Sequence, residues 1–515
     1  MFITTYGVGI SGRTGHVVSV QLHRTRGARF HVSGIPWSEA RNSFARIFAA
    51  FESCGYPRPT GAFTLHVSPK VPAQNIQWLD VPFALAFLAS LGIVEANALL
   101  AVLSMGELGL DGSVQPDRET ILDSALLNTG HRAPFSDCYL PKRGAAIPFP
   151  PSKVGQQWSM ERLPQLVQHL QGGQRLPKLI RKNLWKQRER RSTPVRSIYE
   201  QLNLSELEHT TLLVSAAANL SVLIIGSPGT GKSQMARALH ELLPSLNAQQ
   251  STQLARWHAL RNQAFRLTET PPFRVPHHRC SASGLTGTFL QGRDWIPGEL
   301  SLASYGILCL DELNEFSRDC IESLRGPMEF GEITIVRSNG TQNFPAPALI
   351  VGTANPCLCG HLHEGNQRCG CTPHQVKRHL MRISGPVAER FALHLEAQPR
   401  HSATTYQASL AIARNITWRS REFLARLNPI PWSTSARAAL KRHLEHVAPS
   451  PRGEQFLRRV AEAHAIVQYH RVEPSVPDRH CIHVTEQNVH FAGQLRIFDR
   501  PNWWAKATIP QFFSD

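Results

Sequence analysis

Val222-Leu223-Ile224-Ile225-Gly226-Ser227-Pro228-Gly229-Thr230-Gly231-Lys232-Ser233-Gln234-Met235-Ala236-Arg237-Ala238-Leu239 is the stretch that decides the fold class. Four consecutive apolar residues predict a short strand buried on both faces. From Gln234 the pattern is helical. Between strand and helix stands G-x-x-x-x-G-K-S, in the only context where that spacing carries chemistry. Its glycines let successive backbone N–H groups turn inward around phosphate oxygens, and the following helix N-terminus adds partial positive charge. Gly226, Ser227, Pro228, Gly229, Thr230 and Gly231 form the expected phosphate cradle. Lys232 is expected to reach the β- and γ-phosphates, and Ser233 to bind Mg2+ through its hydroxyl.

Two further strands complete the pattern. Gly306-Ile307-Leu308-Cys309-Leu310 is apolar, with Cys309 as core, and ends in Asp311-Glu312. Acids at the carboxyl end of a buried parallel strand lie beside a phosphate loop. Asp311 would hold the magnesium and Glu312 would polarise the attacking water; the alternative is a strand that merely ends in surface acids. Ala348-Leu349-Ile350-Val351-Gly352-Thr353-Ala354 ends at Asn355, whose amide can bond the γ-phosphate and orient that water. Strand, glycine loop, helix and further apolar strands over residues 198–398 predict an α/β domain with a parallel sheet. The order resembles an AAA+ ATPase, with ATP as its nucleotide.

Working outward, 515 residues allow about three domains, and 42% hydrophobic content excludes a disordered chain. Lys and Arg outnumber Asp and Glu by 55 to 38, a net charge of +17 from only 18% charged residues, which points to a polyanionic partner. Residues 1–7 show no basic or apolar leader pattern. Residues 81–94, the longest apolar run, are too short to span a bilayer and predict a buried core helix rather than a membrane contact. The ten cysteines are clumped rather than spread as a disulfide framework, so a cytoplasmic location is expected. Residues 1–173 mix alternating strands at 18–22 and 62–67 with an apolar helix at 84–91. Residues 174–197 carry nine Lys or Arg against the single acid Glu189: a solvated linker or a polyanion-binding strap. Residues 399–500 read as helical with a break at 428–431, and an aromatic tail fills 501–515.

Several motifs are more particular. Pro276-His277-His278, Pro297-Gly298-Glu299-Leu300-Ser301-Leu302-Ala303, Leu310-Asp311-Glu312-Leu313, Glu329-Phe330-Gly331-Glu332, Ala354-Asn355-Pro356-Cys357-Leu358-Cys359-Gly360 and Ser384-Gly385-Pro386 resemble the ComM/YifB family of magnesium-chelatase-like AAA+ ATPases. Gly106-Glu107-Leu108-Gly109-Leu110-Asp111-Gly112-Ser113 resembles the signature of that family's Lon-protease-like N-terminal domain. The resemblance implies a Lon-like α+β domain, an AAA+ core and a C-terminal helical lid, assembled as a homo-hexameric motor on single-stranded and branched DNA. Such a motor is a helicase that drives branch migration in recombination during natural transformation. By the same resemblance Arg390 is the arginine finger, and Arg452 is the lid arginine called sensor 2, with Arg437 its competitor. The chain departs from the pattern at Glu389-Arg390-Phe391-Ala392, where the family has Asp-Arg-Ile-Asp, and lacks the Gly-Gln pair before the phosphate loop. In the Lon-like domain the serine and lysine positions hold Phe83 and Ile121, which cannot form a catalytic dyad. A protein-remodelling chaperone and, further off, a magnesium-chelatase motor subunit remain as alternatives.

Cys357-x-Cys359 and Cys369-x-Cys371 can enclose one tetrahedral, structural zinc ion; His361, His363 and His374 are substitute ligands, and four free thiols are the alternative. Residues 332–344 predict a β-hairpin around Ser338-Asn339-Gly340. In related motors such a hairpin lines the pore, and Arg337 would touch a phosphate. The segment 284–295 is a second candidate pore loop, with Arg293 as its cation. Nothing in the chain reads bases, so weak sequence specificity is expected.

Overall fold

The computed structural model describes residues 2–11, 14–69, 73–115, 135–142, 155–178, 197–261, 268–289, 295–337, 340–362, 369–383, 385–397, 409–426, 430–447, 449–472 and 482–499. They form two compact units: residues 1–190 with 255–267 and 289–295, and residues 191–254 with 268–288 and 296–515.

The first unit is built on a mixed seven-stranded sheet. Its order is Phe30–Ser33, Ala62–Ser68, Thr14–Thr25, Phe2–Ser11, Val102–Ser104, Asp137–Pro141, Gln156–Met160. Along Ala62–Ser68 buried and exposed residues alternate, as period-two patterning requires when one sheet face meets the core. The helix Asp80–Ser90 is buried at every residue, so the apolar run at 81–94 is core. Phe83 sits inside it, fully buried and edge-on to Phe44. Asp80 is equally buried, and is held by Arg46 through Nε at 2.9 Å and Nη2 at 3.1 Å and by the Leu108 N–H at 3.2 Å. A buried carboxylate without such partners would cost several kcal/mol. Ile121 lies outside the described residues. The unit keeps hold of the chain beyond residue 173: Leu176 is buried, Ser159 N–H donates to the Pro177 carbonyl at 2.9 Å, and the Lys178 ammonium lies 5.5 Å from the Trp158 ring centroid. The rest of the basic segment, 179–196, is outside the described residues.

The second unit contains the five-stranded sheet that carries the phosphate loop. Its order is Phe273–Arg274, Ile307–Leu310, Leu349–Ala354, Val222–Ile225, Leu393–Glu396, and every pairing is parallel. All four residues of Val222–Ile225 are buried, worth roughly 1.5–3 kcal/mol per side chain. Helix Glu206–Ala218 starts with a capping box, Ser205 and Glu208 each satisfying the other's backbone N–H. The helices Leu410–Arg426, Thr434–Val447, Pro451–Val472 and Glu486–Gln494 follow the sheet. Leu457, Val460, Ile466 and Val489 from these helices share one apolar cluster with Val222, Ile224 and Leu239. Strands Glu332–Arg337 and Gly340–Pro345 pair antiparallel, with Arg337 opposite Gly340, which is the expected hairpin. No described helix is long and apolar enough to cross a membrane.

Candidate functional site

The strand Val222–Ile225 delivers the chain to a turn that only glycine makes cheaply at two points. Gly229 has φ +81° and Gly231 φ +85°, both in the left-handed region. Gly231 is also the N-cap of helix Lys232–Glu241, so the first turn of that helix opens onto the loop. The loop is braced from within: the Thr230 hydroxyl donates to the Ser227 carbonyl at 2.9 Å, and Gly226 N–H donates to the Ala354 carbonyl at 3.2 Å. The Lys232 ammonium donates to the carbonyls of Gly226 (2.8 Å) and Ser227 (3.0 Å) and to Asn355 Oδ1 (3.1 Å). Burial pulls its pKa below the usual lysine value, while the nearby Asp311 and Glu312 charges oppose that shift.

Asp311 leaves strand Ile307–Leu310 facing the loop. It accepts from the Ser233 hydroxyl at 3.0 and 3.2 Å, so the two expected magnesium ligands are already side by side. Glu312 has φ +55°, a left-handed backbone unusual for a side chain of that size. Such a conformation costs about 1–3 kcal/mol and gathers at functional positions. One residue that sequence reasoning missed joins the two acids. Thr353, fully buried in strand Leu349–Ala354, donates its hydroxyl to Asp311 Oδ1 at 2.6 Å and accepts from the Glu312 N–H at 3.0 Å. The signal was available: Thr353 is the only hydroxyl in that apolar strand, two residues before Asn355.

Cys357, Cys359, Cys369 and Cys371 converge, every sulfur within 4.8 Å of the others. Cys357 Sγ lies 3.3 Å from Cys359 Sγ and 3.8 Å from Cys369 Sγ. A tetrahedral zinc with 2.3 Å bonds needs sulfurs about 3.8 Å apart, so this donor set fits the ion. Among the described residues the cluster of donors is the four cysteines, and neither His361 nor His374, which is exposed on the next helix, is part of it; His363 is outside the described residues. No disulfide joins the nine described cysteines.

Arg390 and Arg452 converge on one carboxylate. Arg390 Nη2 meets Glu329 Oε2 at 2.6 Å and its Nη1 donates to the Pro386 carbonyl at 2.7 Å, while Arg452 bonds the other Glu329 oxygen. The hydrogen bond from Arg390, with both positive charges, holds Glu329 below the usual carboxylate range. Glu329 opens one of the motifs that carry the family resemblance, but its pairing with the two arginines was not foreseen. The side chain of Arg337, at the hairpin end, and all of Arg293 lie outside the described residues.

Comparison with known proteins finds relatives along most of the chain. The profile of magnesium chelatase subunit ChlI covers residues 200–405, and a second, for subunit ChlI of Mg-chelatase, covers 18–142. The uncharacterized protein YifB of Salmonella typhimurium is 30% identical over 383 residues, 74% of this chain and 72% of its own. The chain belongs to the ComM/YifB family of magnesium-chelatase-like proteins. Another relative in the family, competence protein ComM of Haemophilus influenzae, is 29% identical over 399 residues, covering 76% of this chain and 75% of its own. The magnesium-chelatase 38 kDa subunit of Cereibacter sphaeroides is similar over a shorter stretch, 28% identical over 149 residues, 26% of this chain and 45% of its own. The parallel α/β sheet is the one expected for such an AAA+-like family.

Proposed function

We propose that this protein is an ATP-hydrolysing motor that moves on DNA, acting in recombination when a cell takes up foreign DNA. One observation carries the ATPase: at the carboxyl edge of one parallel sheet Lys232 bonds Asn355 and Ser233 bonds Asp311, with Glu312 next to Asp311. Ser233 and Asp311 would hold Mg2+, which supplies charge neutralisation on the phosphates when bound. Glu312 is placed to polarise the attacking water, and Asn355 to orient it. Arg390 would complete a neighbouring subunit's site in a homo-hexamer, with Arg452 beside it. Residues 1–173 serve as a non-proteolytic Lon-like domain, residues 399–500 as the helical lid, and the four thiols as a structural zinc site.

The DNA half of the proposal rests on the net charge of +17, on the hairpin with Arg337 at its end, and on a relative named as a competence protein. It is tested by ATPase rate with and without forked or four-way DNA, and by strand displacement on a three-strand branched substrate, with Glu312→Gln as the inactive control. Stimulation by branched DNA and displacement that Glu312→Gln abolishes are expected. Indifference to DNA, with stimulation by an unfolded protein, would overturn the DNA motor in favour of a remodelling chaperone.

A further inference from the structure

We propose that the four-thiol module is the positioning element of the nucleotide site: through Gly360 and His379 it fixes where the phosphate loop and Asn355 stand, and its metal holds the module in shape. The inference rests on the reading of 226–233 as an ATP site.

The contact with the phosphate loop is direct. Gly360 closes the turn that contains Cys359, its N–H donating to the Cys357 carbonyl at 3.1 Å. It has φ +84°, and a Cβ built on it would lie 2.5 Å from Pro228 Cδ and 2.8 Å from Pro228 Cγ. Real Cβ atoms do not approach that closely, so the Gly360 backbone is pressed against the proline ring of the loop. Any shift of the Cys357–Cys359 turn is therefore transmitted to Pro228.

The second contact runs through the helix on the other side of the thiols. Cys371 precedes Thr372, which caps helix Pro373–Leu380 with a capping box to Gln375. That helix buries His379. Its Nε2 lies 3.2 Å from the Asn355 carbonyl and 2.6 Å from the side-chain amide of Asn314, two residues beyond Glu312. One small module thus touches the phosphate loop, the residue facing it, and the segment that follows the acids.

Among the described residues the module's own apolar packing is small. Its own apolar cluster consists of Cys357, Leu362, Cys371, Val376 and Leu380, with Cys369 packed against it. A core of that size does not stabilise a segment alone, whereas four thiolates on one metal ion do. Metal loading therefore sets the rigidity of both contacts.

The test uses the full chain, zinc-loaded and chelator-stripped, with two readouts: zinc per chain by mass spectrometry and affinity for a fluorescent ATP analogue. Gly360→Ala drives a methyl into Pro228 and also strains a left-handed backbone, and only the first of these effects answers to a change at Pro228. Gly370→Ala, in the same loop, meets nothing within 4 Å and is the control. Stripping and Gly360→Ala are each expected to weaken nucleotide binding about tenfold, the scale of one overpacked contact. Gly370→Ala should bind zinc and nucleotide like the parent. Pro228→Ala, which removes the two ring carbons the methyl would strike, should recover part of the loss when combined with Gly360→Ala. His379→Gln should lower turnover more than affinity. A parent chain that binds no zinc, or stripped and Gly360→Ala chains that bind nucleotide as tightly as the parent, would overturn the proposal. If Gly360→Ala does not fold, the stripped parent decides alone. A zinc-loaded parent that binds no nucleotide would overturn the ATP site itself, a distinguishable result.

Discussion

Thr353→Val isolates what one hydroxyl does for the two acids. Valine keeps the volume of a fully buried side chain, so no cavity opens. What disappears is the 2.6 Å bond to Asp311 and the acceptor for the Glu312 N–H at 3.0 Å. A hydrogen bond to a charged group contributes about 1.5–3 kcal/mol net, and leaving a backbone N–H without its acceptor costs a similar amount. If the bond to Asp311 alone is what holds the acids in place, turnover falls by a factor of about 10–150. Lys232 keeps its contacts with Gly226, Ser227 and Asn355, so ATP affinity should move by no more than about threefold, within half a logarithmic unit. The assay pairs steady-state phosphate release with fluorescent-nucleotide binding, on chains with matching circular dichroism. Thr353→Ser restores the hydroxyl without the methyl and should recover most of the rate. A folded valine variant turning over at the parental rate, or a serine variant as slow as the valine one, would refute the reasoning.

Burial holds His209 and His464 down at about 4, with the nearby Arg471 charge adding to the effect. The unfolded chain binds these protons near pH 6.5 and the folded chain does not, so stability is full above that pH and is lost as pH falls toward 4. Each group contributes up to about 3 kcal/mol over that window, which denaturant unfolding at stepped pH would read; a flat profile between pH 7 and 4.5 would count against it. Arg390→Ala should lower ATP hydrolysis about 10³–10⁵-fold, the scale of an arginine finger. Mixing it with Lys232→Ala should restore activity that neither has alone, and no recovery would sink a shared site. If DNA is held through six to ten phosphates, its affinity should drop about 10³–10⁵-fold between roughly 50 and 200 mM salt, whatever the sequence. Fluorescence anisotropy with two unrelated oligonucleotides checks both points.

Three of the five sheet strands and the loop were legible in the sequence, because Val222–Ile225, Ile307–Leu310 and Leu349–Ala354 are short, almost wholly apolar and run into residues with one evident task, whereas Phe273–Arg274 and Leu393–Glu396 carry no such contrast. Asp311, Asn355 and the four cysteines stood out by the same contrast, and the hairpin read at 332–344 by two strand-like arms around a turn. What escaped notice depends on contacts far apart in the chain. Thr353 is ordinary in a strand until its neighbour strand places Asp311 beside it, 42 residues away. Glu329 stood in a quoted motif, but it sits 61 residues from Arg390 and 123 from Arg452, and nothing local tells that two distant guanidinium groups share its carboxylate. Gly360 reads as a turn glycine; that it abuts Pro228 follows only from the parallel sheet bringing the two loops to one edge.

The order of that sheet has a mechanical corollary. Leu349–Ala354 lies between the strand that feeds the phosphate loop and the strand that ends in the acids, so those two strands are not paired with each other in the sheet. Whatever displaces one against the other shears the ribbon between them, and that ribbon carries Thr353 and leads into Asn355. A tug arriving at either flank is therefore registered at the spot where the terminal phosphate would be cleaved, without any dedicated lever.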